Sequence, residues 1–200
     1  MKTITVTKKE APAGPTTDLS TLTADYEAQD GETLTGTLTN NVKITIADGA
    51  TVTLDGVTIS GVNDADHQWA GITCAGDATI ILKDGTTNSV TGFHENYPGI
   101  YVPADKTLTI KGETAGTGVL NAQGSVGTSN AAYDGCTVAA GIGAGVSLPC
   151  GDIVIEGGVI NATGGYACAA IGGAFMTACG NIASAKYESK LSLCIRLVDL

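Results

Sequence analysis

Three stretches of this chain repeat one pattern at a fixed interval, and that interval constrains the fold more than any other feature. Ile44, Ile72 and Ile100 are spaced by 28 residues, as are Val52, Ile80 and Leu108, within "ITIADGATVTLDG", "GITCAGDATIILKDG" and "GIYVPADKTLTIKGE". Further on, Ile142 and Ile171 are 29 apart, and so are Ile153 and Ile182, in "AGIGAGVSLPCGDIVIEGG" and "AAIGGAFMTACGNIASA". From Ile100 to Ile142 the step is 42, one repeat plus an insertion that carries "QGSVGTSNAAYDGCTVAA".

Inside each copy lie short runs of period two followed by Gly, such as Val52-Thr53-Leu54, Leu108-Thr109-Ile110 and Ile153-Val154-Ile155. Alternation sends the outer pair of each run inward and the middle residue to solvent. A repeat of this length, built from such strands and lacking a helical period, describes one coil of a parallel β-helix. The expectation is an all-β solenoid of about five coils with 28–29-residue repeats. Its core would be two columns, Ile44/Ile72/Ile100/Ile142/Ile171 and Val52/Ile80/Leu108/Ile153/Ile182. Residues 1–20 read as a strand-like piece, "TITVT", and a Pro/Gly/Thr linker, residues 21–182 as the solenoid, and residues 183–200 as an irregular cap or altered end. In that end Leu191, Leu193, Ile195 and Leu197 alternate.

Stacking accounts for several residues that would otherwise suggest chemistry. Asp55, Lys83, Lys111 and Glu156 fall at one outward position on successive coils, where adjacent opposite charges contribute a few tenths of a kcal/mol per pair. Asn121 and Asn161, in "VLNA" and "VINA", read as a short ladder. None of the six cysteines has the C-x-x-C spacing of a zinc site, so they read as buried thiols. Cys150 and Cys179 are 29 apart and should lie one above the other. Free thiols are expected there, because parallel in-register side chains rarely offer the disulfide dihedral.

Composition excludes some partners. A net charge of -10 and a single arginine, Arg196, argue against a surface that tracks phosphates, since nucleic-acid affinity comes largely from Lys and Arg displacing counterions. No stretch has the length of a transmembrane helix, and "MKTITVTKKEAPAGPTT" lacks the apolar centre of a signal peptide.

The sequence "YPGIYVPADKTLTIKG", followed by "AAGIGAG", "CGDIVIEGGVINATGG" and "AAIGGA", resembles the right-handed parallel β-helix modules of anaerobic-bacterial surface proteins, many of them grouped as carbohydrate-binding domain-containing proteins. The likeness covers roughly residues 30–182 and rests on the grammar of the repeat. It implies an extracellular or cell-surface, non-catalytic polysaccharide binder, sometimes holding calcium.

The turn before the Ile44/Ile72/Ile100 column is the most informative place for a site. There two repeats read "GVNDADHQWAG" and "GFHENYPG", and Trp69 and Tyr97 are 28 apart, as are Asp66 and His94, and His67 and Glu95. Tyr133 with Asp134 in the insertion, and Tyr166 in a later turn, should emerge on the same side. Aromatic faces against sugar C–H surfaces, with carboxylates reading hydroxyls, are the ingredients of a glycan site. The alternative is that one aromatic per turn covers the adjacent core. Asp77 and Asp105, also 28 apart, are a candidate pair for calcium, although two carboxylates fall short of the six or more oxygens it takes.

Two other functions compete with glycan binding. A structural or adhesive stalk of a larger surface protein would need no site in the repeats. A hydrolase would need paired carboxylates, which Asp64, Asp66 and Glu95 could supply, and a lyase an Arg or Lys base beside calcium. The Asp-Asp, Gly-His-Gly and Arg-x-Lys motifs of polygalacturonases are not found, and the one arginine lies in the irregular tail.

Overall fold

Period-two runs interrupted by turn residues give short strands, and the computed structural model, which describes residues 14–125, 138–165 and 168–184, places them in parallel sheets. Among the described residues the chain is all-β, with one 3-10 turn at Leu19–Thr21 and no α-helix. Every pairing between the described strands is parallel, with isolated antiparallel bridges at turns such as Gly145 with Leu148. Consequently no helix there is long and apolar enough to cross a membrane.

The six-stranded sheet runs Tyr26–Ala28, Ile44–Ile46, Ile72–Cys74, Ile100–Tyr101, Ile142–Gly143 and Ile171–Gly172, each strand beside the next. The larger sheet joins two stacks through one long strand, Thr51–Ile59. Residues 51–54 of that strand pair with residues 79–82, and residues 58–59 pair with residues 89–90. The first stack continues through Thr107–Gly112, Asp152–Ile155 and Ile182–Ser184, the second through Val119–Gln123 and Val159–Thr163.

The corner inside Thr51–Ile59 has a local cause. Val52 and Leu54 are buried, and so are Val57 and Ile59, so the inward parity shifts by one at Asp55-Gly56. Gly56, at φ +71°, supplies the left-handed backbone that lets both halves face inward. Buried Asn88 in the next repeat accepts the Val57 N–H at 2.9 Å and donates to the Val119 carbonyl at 3.1 Å, tying three successive repeats at this corner.

The core register follows the repeat in most places. Ile72 pairs with Ile100, Ile100 with Ile142, and Ile142 with Ile171. Val52 pairs with Ile80, Leu108 with Ile153, and Ile153 with Ile182. One expected neighbour is different: Leu108 lies beside Ala78, and Ile110 beside Ile80. The turn after Ile100 is longer than its counterpart after Ile72, and a slip of two keeps the inward set inward, so the 28-residue sequence match could not detect it. Ile182 is also less buried than expected, 51% exposed; among the described residues its strand pairs with Asp152–Ile155 alone.

The same slip divides the outward charge ladder. Lys83 pairs with Asp55 at 2.6 Å and Lys111 with Glu156 at 3.1 Å, but Lys111 lies beside Ile81 rather than Lys83. Asn161 donates to Asn121 at 2.9 Å across paired strands.

Cys150 and Cys179 do stack, but not as free thiols. A disulfide joins them, with Cα atoms 4.4 Å apart, across adjacent repeats. Both cysteines lie outside the named strands but are partners in an isolated parallel bridge, so the in-register stacking expected to keep the thiols apart is what brings the two sulfurs together. Cys74 is a buried thiol, and burial pushes its pKa up to about 12.

At the N-terminal end Thr16–Asp18, inside the stretch read as linker, forms a strand on Thr33–Thr37. The first repeat is short: Tyr26 pairs with Ile44, only 18 residues on. Glu32, 2% exposed, accepts the hydroxyls of Thr17 and Tyr26 and the Gln29 N–H, fastening that strand to the first repeat. "TITVT", Cys136, Cys194 and the alternating residues from Leu191 to Leu197 lie outside the described residues.

Candidate functional site

The loops before Ile72 and Ile100 occupy the same phase of successive repeats, since Ile72 and Ile100 pair and the Phe93 N–H donates to the Trp69 carbonyl at 3.0 Å. A second tie is the Glu95 N–H donating to Asn63 Oδ1 at 2.8 Å. Asn63 sits at φ +51°, a left-handed position that Asn tolerates better than most residues. These bonds hold the two loops side by side on one edge of the sheets.

Asp64 organises the first loop. Its Oδ1 accepts the backbone N–H groups of Asp66 at 3.1 Å and His67 at 3.0 Å, and lies 2.5 Å from His67 Nδ1. The hydrogen bond to His67 is the largest cause holding the Asp64 carboxyl below its usual pKa, with the backbone donors adding to it. His67 in turn meets Trp69 edge-on, ring centroids 5.1 Å apart, and Phe93 lies 5.6 Å from Trp69.

Tyr97 forms a separate pair. Its ring stands edge-on to His94 at 6.1 Å, and its N–H donates to the His94 carbonyl at 2.9 Å. The ring contacts of Trp69 are to His67 and Phe93, so the two aromatics that the repeat phase suggested as one surface belong to two clusters. Trp69 is half-buried and packs against the core, and its indole N–H is buried with no acceptor among the described residues. Asp66 is exposed at the tip of its loop. Tyr133, Asp134 and Tyr166 lie outside the described residues.

The expected site omitted Phe93 and Asn63. Phe93 has Ala65 at the equivalent repeat position, so periodicity did not mark it; its place beside Gly92 at the start of the loop was the available signal. Asn63 was signalled by "VND", a cluster of residues that favour turns with side chain to backbone bonds.

The calcium pair separates in the same way. Asp77 Oδ1 accepts the Thr107 N–H at 2.8 Å, while Asp105 stands exposed at φ +61° in the longer turn. Among the described residues no group of three or more His, Cys, Asp or Glu is placed to hold a metal ion.

Compared with known protein families, with curated proteins and with solved structures, the chain matches none.

Proposed function

We propose that the chain is a right-handed parallel β-helix of about five coils serving as a non-catalytic polysaccharide-binding module of an exported or cell-surface protein. The observation that carries the reading is the loop edge at residues 62–69 and 93–97. It carries His67 against Trp69 and the Asp64 carboxylate, and His94 against Tyr97, on two loops tied side by side by backbone hydrogen bonds. Rings with adjacent carboxylates suit extended, hydroxyl-rich polymers, and an acidic chain favours neutral glycans over anionic ones. A shallow edge of this kind binds weakly, because it desolvates few atoms of its ligand.

The test is a polysaccharide array probed with the whole chain, followed by titration of any hit against the Tyr97→Ala variant. Binding that the variant loses supports the reading. An array without hits, or a hit indifferent to Tyr97, sinks it in favour of a structural or adhesive stalk. That second reading draws on a specific observation: Trp69 packs on the core with its indole N–H buried, as a ring that only covers the repeat would.

A further inference from the structure

The last described repeat, residues 171–184, is held differently from the one before it. In the repeat before it, the strand Asp152–Ile155 buries Ile153 and Ile155; in the last, all three residues of Ile182–Ser184 are exposed and Met176 is 91% exposed. Its other strand, Ile171–Gly172, is two residues long like Ile142–Gly143 beside it. Backbone and turn bonds supply the rest, including Ile153 N–H to the Asn181 carbonyl at 2.9 Å, Asn181 N–H to Asp152 Oδ1 at 2.7 Å, and Thr177 Oγ1 to the Gly145 carbonyl at 3.0 Å. Among residues 171–184 the buried apolar side chains are Ile171 and Ala174, and a repeat with so few lies at the low end of local stability. Yet this is the repeat that the Cys150–Cys179 disulfide ties down.

The bond is also reachable. Cys150 is 4% exposed, whereas Cys179 is only half-buried, and both line an open cleft of ≈ 380 Å³ together with Asp105, Lys106, Thr107 and Asp152. A disulfide with a half-exposed cysteine at the wall of an open cleft is accessible to thiol exchange from that side.

We propose that the Cys150–Cys179 disulfide is a redox-controlled clamp: oxidised, it docks residues 171–184 on the repeat below; reduced by a dithiol, it lets them detach while the preceding repeats stay folded. In the exchange, a thiolate of the dithiol attacks Sγ of Cys179 and the S–S bond breaks. Cys150 leaves as a thiolate and takes up a proton. The second thiol of the reductant then displaces Cys179 from the mixed disulfide, closing its own disulfide and leaving Cys179 protonated. The electrons come from the dithiol, and the protein gains a pair of thiols. Cys74 takes no part, since its thiol is fully buried far from its reactive range.

The test pairs differential alkylation with hydrogen exchange on the whole chain, with and without dithiothreitol, read peptide by peptide. Alkylation should leave Cys150 and Cys179 unlabelled until dithiothreitol is added. Exchange over residues 171–184 should then quicken on the order of tenfold or more, with residues 44–59 unchanged. The C150S/C179S double variant should show the fast exchange without reductant and no response to it. If that variant does not fold, the reduced parent chain still decides the matter. Labelling of either cysteine before reduction, unchanged exchange over 171–184 after it, or equal loosening of 44–59 would each overturn the clamp.

Discussion

Asp77 Oδ1 accepts the backbone N–H of Thr107 at 2.8 Å, reaching from one repeat to the turn of the next. The relation recurs: Asp30 accepts from Thr51 at 2.8 Å, Asp48 from Asp77 at 2.8 Å, and Asp152 from Asn181 at 2.7 Å. A carboxylate at this turn satisfies a donor that strand pairing leaves over, as an N-cap does for a helix. Asp77→Ala should therefore cost about 1–2 kcal/mol in urea denaturation, while Asp77→Asn, which keeps an acceptor oxygen, should cost less. Equal losses for the two variants would show that charge, not the acceptor, is what matters at this position.

Ile100 has no exposed surface and sits between Ile72 and Ile142 on adjoining strands. Ile100→Asp would bury an unpaired carboxylate there, at a cost above about 4 kcal/mol. An unchanged melting temperature for that variant would contradict the stacked core.

Glu32 makes a different kind of tie, a buried carboxylate with three donors. Removing it in Glu32→Ala leaves the Thr17 and Tyr26 hydroxyls and the Gln29 N–H unmet, which should cost about 2–4 kcal/mol. The same contact raises the Tyr26 pKa above 10.0, chiefly through the hydrogen bond to Glu32. A raised pKa in the folded state means that its stabilisation is complete below pH 10 and is lost as pH rises through the folded value. Alkaline unfolding followed by tyrosine absorbance should therefore begin earlier in Glu32→Ala than in the parent.

Asp64 works in the acid range. Its carboxyl is held below 3.8, first by His67 and then by backbone donors, so its contribution is present above the unfolded value near pH 4 and disappears as pH falls through the folded one. NMR titration of the Asp64 carboxyl should give a midpoint below that of an ordinary Asp, and His67→Ala should move it upward. A midpoint unaffected by His67→Ala would mean that the backbone donors alone set it.

What the sequence made legible follows from what a repeat can encode. The pairing of Ile72 with Ile100 was readable because isoleucine, flanking Gly and interval all agree. The pairing of Ile110 with Ile80 was not, since alternating apolar residues fit equally well after a slip of two and only the turn length decides. The short first repeat was hidden because Tyr26 does not resemble the isoleucine it lies beside. At the candidate site Ile72 beside Ile100 sets the two loops side by side, but such a register leaves the path of the loop and the direction of its side chains open; Phe93, which has no aromatic counterpart in the repeat before it, bonds the Trp69 carbonyl and meets its ring.

That capture separates the two aromatics experimentally. Trp69 packs on Phe93 and the core, so Trp69→Ala removes buried area and should cost about 3 kcal/mol of stability, visible as a lower melting temperature. Tyr97 is half-buried and, among the described residues, the ring it meets is that of His94, so Tyr97→Ala should leave the melting temperature nearly unchanged. If the edge binds glycan, Tyr97→Ala should weaken a confirmed ligand by about 1–2 kcal/mol, as for loss of an aromatic anchor. His94→Ala should weaken it less, because the imidazole acts by holding the tyrosine ring upright rather than by covering sugar. Isothermal titration of the three variants against one ligand checks the order. Parent-like affinity in Tyr97→Ala, with a destabilised Trp69→Ala, would assign both rings to packing and leave the repeats as a scaffold.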